Sequence, residues 1–300
     1  MTSVPASCDR ARRGVLLTLR VAAGTGLFVL VLIAVQSGDR RVAGMMLTFP
    51  ALNGLSLMLA PNPQKRAMAA AMLPVIGLNG LLAMAFIAAA EAIGPDRVDA
   101  GTATMLVGIG VALWLVAALG LSRLSQAGQW RLVAVYVAVS VVLVAVWWGA
   151  CPPSGAASQG GVLAVLTQQA ARIGLFAACL GGLLVFADAA GAQHGWIGRL
   201  GAFPLLPLFS LAIMAQAEVP MGGGRGLADL RAPILAGMLL AMSFAWIYAG
   251  VLERIDRRFQ SERARAAARA MGLLAGWGVC GGIVAATMRL AAVLEGCAAG

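Results

Sequence analysis

Charge is scarce in this sequence. Of 300 residues, 11% are Asp, Glu, Lys or Arg against 61% hydrophobic, at mean hydropathy +0.88, whereas a water-soluble domain carries about 25% charged residues. A soluble globular protein is excluded. Histidine is scarcer still: His194 stands alone, and Cys8, Cys151, Cys179, Cys280 and Cys297 form no Cys-x-x-Cys pair. A Cys/His metal centre therefore lacks ligands, and no metal or cofactor is expected. Also missing are a Gly-x-Ser-x-Gly elbow, a His-Glu-x-x-His pair and a Gly-Lys-Ser/Thr phosphate loop. No enzyme is expected, and no catalytic residue is assigned.

What charge there is has one sign. The net charge is +10, with pI near 10.9, a balance that points to nucleic acid in a soluble protein. Here the basic residues fall mostly between apolar runs, where the positive-inside bias and anionic lipid headgroups account for them. Membrane lipids, among them anionic headgroups, are the expected partners, and nucleic acid is not. Arginine outnumbers lysine so far that Lys65 is the single lysine, a usage that fits a GC-rich bacterial genome.

A helix rises about 1.5 Å per residue and the hydrocarbon core is about 30 Å thick, so a crossing takes about 20 apolar residues. Nine segments read as spans: 15–36, 42–60, 67–90, 101–121, 132–150, 162–187, 200–217, 232–252 and 271–294. They hold three charged residues, Arg20, Arg172 and Arg289. Arg10, Arg12 and Arg13 precede the first, but its apolar stretch is too long for a signal peptide and reads as an uncleaved anchor. With the N-terminus inside, the inner segments hold 14 basic residues and the outer ones five. That bias predicts a cytoplasmic N-terminus and a C-terminus outside, in a bacterial inner membrane. Six arginines between Glu253 and Arg269, with Glu253–Arg257 and Arg258–Glu262 at i,i+4, predict a helical extension at the inner headgroups.

The chain also repeats itself. Gly44-Met-Met-Leu-Thr-Phe49-Pro50-Ala-Leu-Asn-Gly-Leu-Ser56 aligns without gaps on Gly198-Arg-Leu-Gly-Ala-Phe203-Pro204-Leu-Leu-Pro-Leu-Phe-Ser210. Arg20 ahead of Gly26-Leu27-Phe28 resembles Arg172 ahead of Gly174-Leu175-Phe176. Arg66 matches Arg231, and Gly108-Ile-Gly110-Val111 matches Gly276-Trp-Gly278-Val279. Spans one to four thus match six to nine, with the Val-rich fifth left as a connector. Four crossings plus one return the chain from the opposite side, so the second copy is expected to be inverted. The organisation read from this is an all-α, polytopic transmembrane helical bundle of about nine spans. Residues 1–131 form a first four-helix repeat, 132–160 a connector helix and outer loop, and 161–300 an inverted second repeat.

Each copy resembles the small four-helix GlpM-type bacterial inner-membrane proteins. Ala43-Gly44 with Phe49-Pro50, and Ile197-Gly198 with Phe203-Pro204 and Ala228-Asp229-Leu230-Arg231, carry the similarity. Val42-Ala43 and Trp196-Ile197 depart from the aromatic lead-in of that pattern, and the fused connector is absent from its small members. The resemblance implies a fold more than an activity.

Pro50 and Pro204 fall mid-span at matching positions, each removing a backbone hydrogen bond where no water replaces it. Thr48, Asn53 and Ser56 surround the first break, Pro207 and Ser210 the second, as where discontinuous helices build a midplane site. A proline kink relieved by Ser or Thr back-bonding explains the same residues without a site. Asn79 and Pro74 could join the first break, but Phe244 stands at the matching position in the other copy. Arg20 and Arg172 are read either as snorkelling side chains or as receivers of an anionic headgroup, one per leaflet. Gly272, Gly276 and Cys280, with Gly108 and Ala112, predict close packing of spans four and nine. Asp188 and His194, near one inner boundary, are read either as a proton relay or as a polar loop edge, and the loop edge explains both.

The substrate-binding candidates are accordingly Arg20, Phe49, Pro50, Asn53, Ser56, Arg172, Phe203, Pro204 and Ser210. The function expected is a transporter or lipid/small-solute translocator with its path at the Phe-Pro breaks. Its rival is a non-transporting membrane scaffold or accessory subunit, for which a second copy or a membrane complex would be the partner.

Overall fold

A computed structural model describes residues 6–36, 40–48, 51–59, 65–94, 98–148, 167, 170–189, 205–215 and 226–298. These form ten α-helices: α1 (Ala6–Gln36), α2 (Arg40–Leu47), α3 (Ala51–Leu59), α4 (Lys65–Ile93), α5 (Ala100–Arg123), α6 (Gln126–Trp148), α7 (Ala170–Ala189), α8 (Leu205–Ala215), α9 (Arg231–Arg258) and α10 (Glu262–Ala298). A 3-10 turn, Gly226–Leu230, leads into α9. Among the described residues there is no strand. An all-helical architecture follows from the solvent: in hydrocarbon each backbone N–H and C=O must find its partner within the segment.

Among the described residues, six helical stretches are long and apolar enough to cross a bilayer: Leu17–Ala34, Lys65–Ile93, Ala100–Arg123, Gln126–Val146, Leu227–Arg258 and Glu262–Thr287. These are the helices of a multi-pass, membrane-embedded protein. Ala170–Gly182 and Leu206–Ala215 are shorter apolar helices. The segment read from the sequence as one second span, 42–60, is two helices. Leu47 closes α2, Thr48 forms a turn in which its N–H and hydroxyl both donate to the Met45 carbonyl, and α3 begins at Ala51. At 8 and 9 residues, neither piece reaches across 30 Å at about 1.5 Å per residue.

The core is one helix pair. In α4, 67% of the apolar window is buried and in α9 56%, against 17% in each of α5, α6 and α10. α4 and α9 pack along one another, α6 lies on both, α5 covers α4, and α10 covers α9. α2 and α3 lie on α9, while α8 lies on α4. The outer helices turn Val116, Val135, Val142, Leu274 and Val279 outward, an inversion of the soluble pattern that lipid tolerates because its tails are as apolar as leucine. A second cluster, centred on Phe28 and Phe176, joins α1, α7 and α8.

Two sequence readings are corrected. The stretch Glu253 to Arg269 is no single extension: α9 ends at Arg258, residues 259–261 are exposed and non-helical, and α10 starts at Glu262. Glu253 and Arg257 do pair at i,i+4, at 3.8 Å, but Arg258 and Glu262 lie on different helices. Gly108 and Gly276 do not bring α5 onto α10 either. Gly108 has nothing within 4 Å of where a Cβ would stand, and Gly276 packs against the Phe244 ring of α9.

Candidate functional site

The first turn of α4 and the last turns of α9 meet at one end of the bundle. Lys65 Nζ donates to Asp256 Oδ2, with both side chains buried at 0% and 1% exposure. Arg269, entering on α10, donates from Nε to Asp256 Oδ1 at 2.7 Å. Its backbone carbonyl accepts the Tyr248 hydroxyl at 2.9 Å. Beside this triad Arg66 pairs with Glu253 at 3.0 Å and lies over the Trp246 ring, 5.6 Å from its centroid. Trp246 meets Trp130 of α6 edge-on at 5.2 Å.

At the opposite end the roles exchange. Arg231, the first residue of α9, donates to Glu91 near the end of α4. Because each helix offers its cationic start to the other's acidic end, α4 and α9 run antiparallel. Asp256 stands twenty-five residues after Arg231, as Glu91 stands twenty-five after Arg66. The two ends differ in solvation: the Arg231 and Glu91 side chains are 29% and 34% exposed.

Between the ends, α4 and α9 carry little polarity. Asn79 accepts a hydrogen bond from Trp114 Nε1 at 3.1 Å, tying α5 to α4. Phe244, its sequence counterpart, stacks on Tyr248 at 5.3 Å and packs against Gly54 and Gly276. Gly237 admits Thr48 and the Met45 backbone against α9, and Gly44 fits under Pro233, whose Cβ lies 2.5 Å from where a Gly44 side chain would begin. Glycine is required there because any Cβ would push α2 off α9.

Of the nine residues singled out in the sequence, Phe49, Pro50, Phe203 and Pro204 lie outside the described residues, as does the Arg20 side chain, whose backbone belongs to α1. Asn53 is half-buried and Ser56 buried, both on α3. Ser210 on α8 is fully buried, and its hydroxyl has no hydrogen-bond partner. Arg172 is half-buried on α7 and partnered. Ser56 and Ser210 sit on helices whose main partners differ, α3 packing chiefly on α9, α1 and α10 and α8 on α4, α5 and α1, although both helices also share α1 and α4. A groove of about 250 Å³ lies apart from both, between α4 and α6, lined by Ala67, Ala70, Ala71, Gln126, Gln129, Trp130 and Val133.

The chain matches no protein-family model, no curated protein and no solved structure. Its function is argued from its residues alone. The charged groups that organise the α4–α9 pair, Lys65, Glu91, Asp256 and Arg269, were not among the sequence candidates. The available signals were the solitary lysine and the equal spacing of Arg66–Glu91 and Arg231–Asp256, which appears once the arginines are aligned.

Proposed function

We propose that the chain is a transporter or lipid/small-solute translocator of a bacterial inner membrane, built from two inverted GlpM-type four-helix copies joined by α6. The reciprocal pairing of α4 with α9 carries the reading: equivalent helices of inverted copies run antiparallel, and here each meets the other's acidic end with its cationic start, through Lys65 and Arg66 at one end and Arg231 at the other. The wider packing supports it. Swapping the copies turns the α5–α8 contact into α10–α3, α4–α5 into α9–α10, and α4–α8 into α9–α3, and all of these occur. The connector α6 touches both members of the central pair.

In this reading the path runs past the Phe-Pro positions of the second span of each copy, with Asn53, Ser56 and Ser210 as its polar lining and Arg20 and Arg172 receiving anionic groups near opposite faces. The interruption after Leu47 frees carbonyls that a discontinuous helix offers to a substrate or ion. The rival reading, a non-transporting scaffold or accessory subunit with a second copy or another membrane protein as partner, is favoured by the burial of Ser56 and Ser210.

Accessibility separates the two. In a variant stripped of native cysteines, Ser56→Cys and Ser210→Cys are exposed to a membrane-impermeant thiol reagent from each side. A translocator is labelled at both positions, and protection at both selects the scaffold. The inverted arrangement is checked by a reporter fused after Gly300, which is active outside the cytosol if the second half is upside down.

A further inference from the structure

At the Lys65 end of the bundle, Lys65 and Arg269 share one carboxylate, Asp256, and a third cation, Arg265, stands near Lys65. Both Asp256 oxygens are already used, one by Lys65 and the other by Arg269 at 2.7 Å. Arg265, one helical turn before Arg269 on α10, lies within electrostatic reach of the Lys65 ammonium. Its Nε is buried and has no hydrogen-bond partner. Glu253, the other acid on this part of α9, is held by Arg66 and Arg257, and Glu262 in the first turn of α10 is partnered. Two positive charges thus share one carboxylate, a third stands near Lys65, and the buried Arg265 Nε–H is left without an acceptor.

Neither feature is cheap. A buried donor without an acceptor costs about 1–3 kcal/mol, more when charged, and like charges gathered in a poorly solvated place repel. An oxyanion relieves both at once. Guanidinium groups present planar, paired donors that fit phosphate. The cluster is reached from the exposed 259–261 turn, where Arg269 keeps 21% of its side chain exposed. This is the depth of headgroups in any orientation that embeds α4 and α9.

We infer that Arg265 and Arg269, with Lys65 behind them, form a binding site for one phosphate-type oxyanion, separate from the path at the helix breaks. The phosphate of an anionic phospholipid and free inorganic phosphate share that chemistry. The test uses the full chain in two settings. Native mass spectrometry counts lipids retained from nanodiscs of phosphatidylglycerol or phosphatidylcholine, and thermal unfolding in detergent is followed against inorganic phosphate. The variants are Arg265→Gln, Arg265→Lys as the form that keeps the charge and the fold, and Arg257→Gln as a control, Arg257 being 82% exposed on the same surface.

The expected result is that Arg265→Gln weakens oxyanion binding about tenfold, the value of one charge-assisted hydrogen bond. Arg265→Lys falls between it and the unaltered chain, and Arg257→Gln changes binding less than about twofold. Stabilisation by phosphate in detergent identifies a soluble oxyanion, while selective retention of phosphatidylglycerol without a phosphate response identifies the lipid headgroup. Binding of neither, binding unaffected in both Arg265 variants, or an equal loss in Arg257→Gln overturns the site. None of these outcomes depends on a transport assay, so the site stands or falls apart from the proposed path.

Discussion

Phe28 of α1 and Phe176 of α7 stack with ring centroids 4.5 Å apart and planes 13° from parallel. They are the two residues that close the matching Gly-Leu-Phe triplets of the sequence repeat. A residue touches its own counterpart only near a twofold axis, so this contact marks where such an axis would pass. Phe209 of α8 meets both rings edge-on, at 5.7 and 5.8 Å, and seals one side of the pair.

Phe28→Leu and Phe176→Leu are each expected to lower stability, and together by less than their sum. A double-mutant cycle should give a coupling of about 1 kcal/mol, the excess value of an aromatic pair. Unfolding in mixed micelles with increasing SDS reads it, and strict additivity would remove the stacking from the account.

The two charged ends of the α4–α9 pair should respond unequally to neutralisation. Asp256→Asn leaves the buried Lys65 and the part-exposed Arg269 without their counter-charge and is expected to cost about 3–5 kcal/mol. Glu91→Gln, in the more exposed pair with Arg231, is expected to cost less than about 1 kcal/mol. The same SDS titration ranks them. Equal costs would mean that burial does not set the strength of these pairs.

Glycine is needed at the α2–α9 contact and not on the outward face of α5. Gly44→Ala drives a Cβ into Pro233 and is expected to cost about 1–3 kcal/mol by overpacking. Gly108→Ala meets nothing and should leave stability unchanged. The thermal midpoints of the two purified variants decide the point.

Ser210→Ala removes a buried hydroxyl that has no partner, so stability should be unchanged or rise by about 1 kcal/mol. A loss larger than that in thermal unfolding would reveal an acceptor, and with it a polar network around α8.

Asp99 caps α5 outside the membrane: its carboxylate accepts the Thr102 backbone N–H at 2.7 Å. That bond, with the Thr102 hydroxyl second, holds the Asp99 carboxyl below its ordinary value of 3.8. A lowered folded-state value means the cap stabilises above the unfolded value and is lost as pH falls through the folded one. The start of α5 should therefore fray below about pH 4. Hydrogen exchange at the Thr102 amide should accelerate there, and Asp99→Asn should abolish the acceleration.

Much of this protein was legible in its order of residues. Hydropathy runs placed α4 and α5 within three residues at either end and located α1, α6, α9 and α10 with one end six to nine residues short. An apolar bilayer enforces helix on any long uncharged stretch regardless of its neighbours, while the helices run on into polar residues that hydropathy does not score. The break in the second segment was visible as Pro50 with Thr48 beside it, since a missing N–H is a local fact. Which faces meet was not visible. Lys65 with Asp256, and Phe28 with Phe176, are 191 and 148 residues apart, and hydropathy is blind to which uncharged face of a helix finds another helix rather than lipid. The order of residues therefore determined that the chain enters the membrane and where it must coil. Only packing decided that α4 and α9 form the centre, that their ends exchange charges, and that Arg265 is left with a donor to fill, because contact energies between distant segments exist only once the helices have assembled.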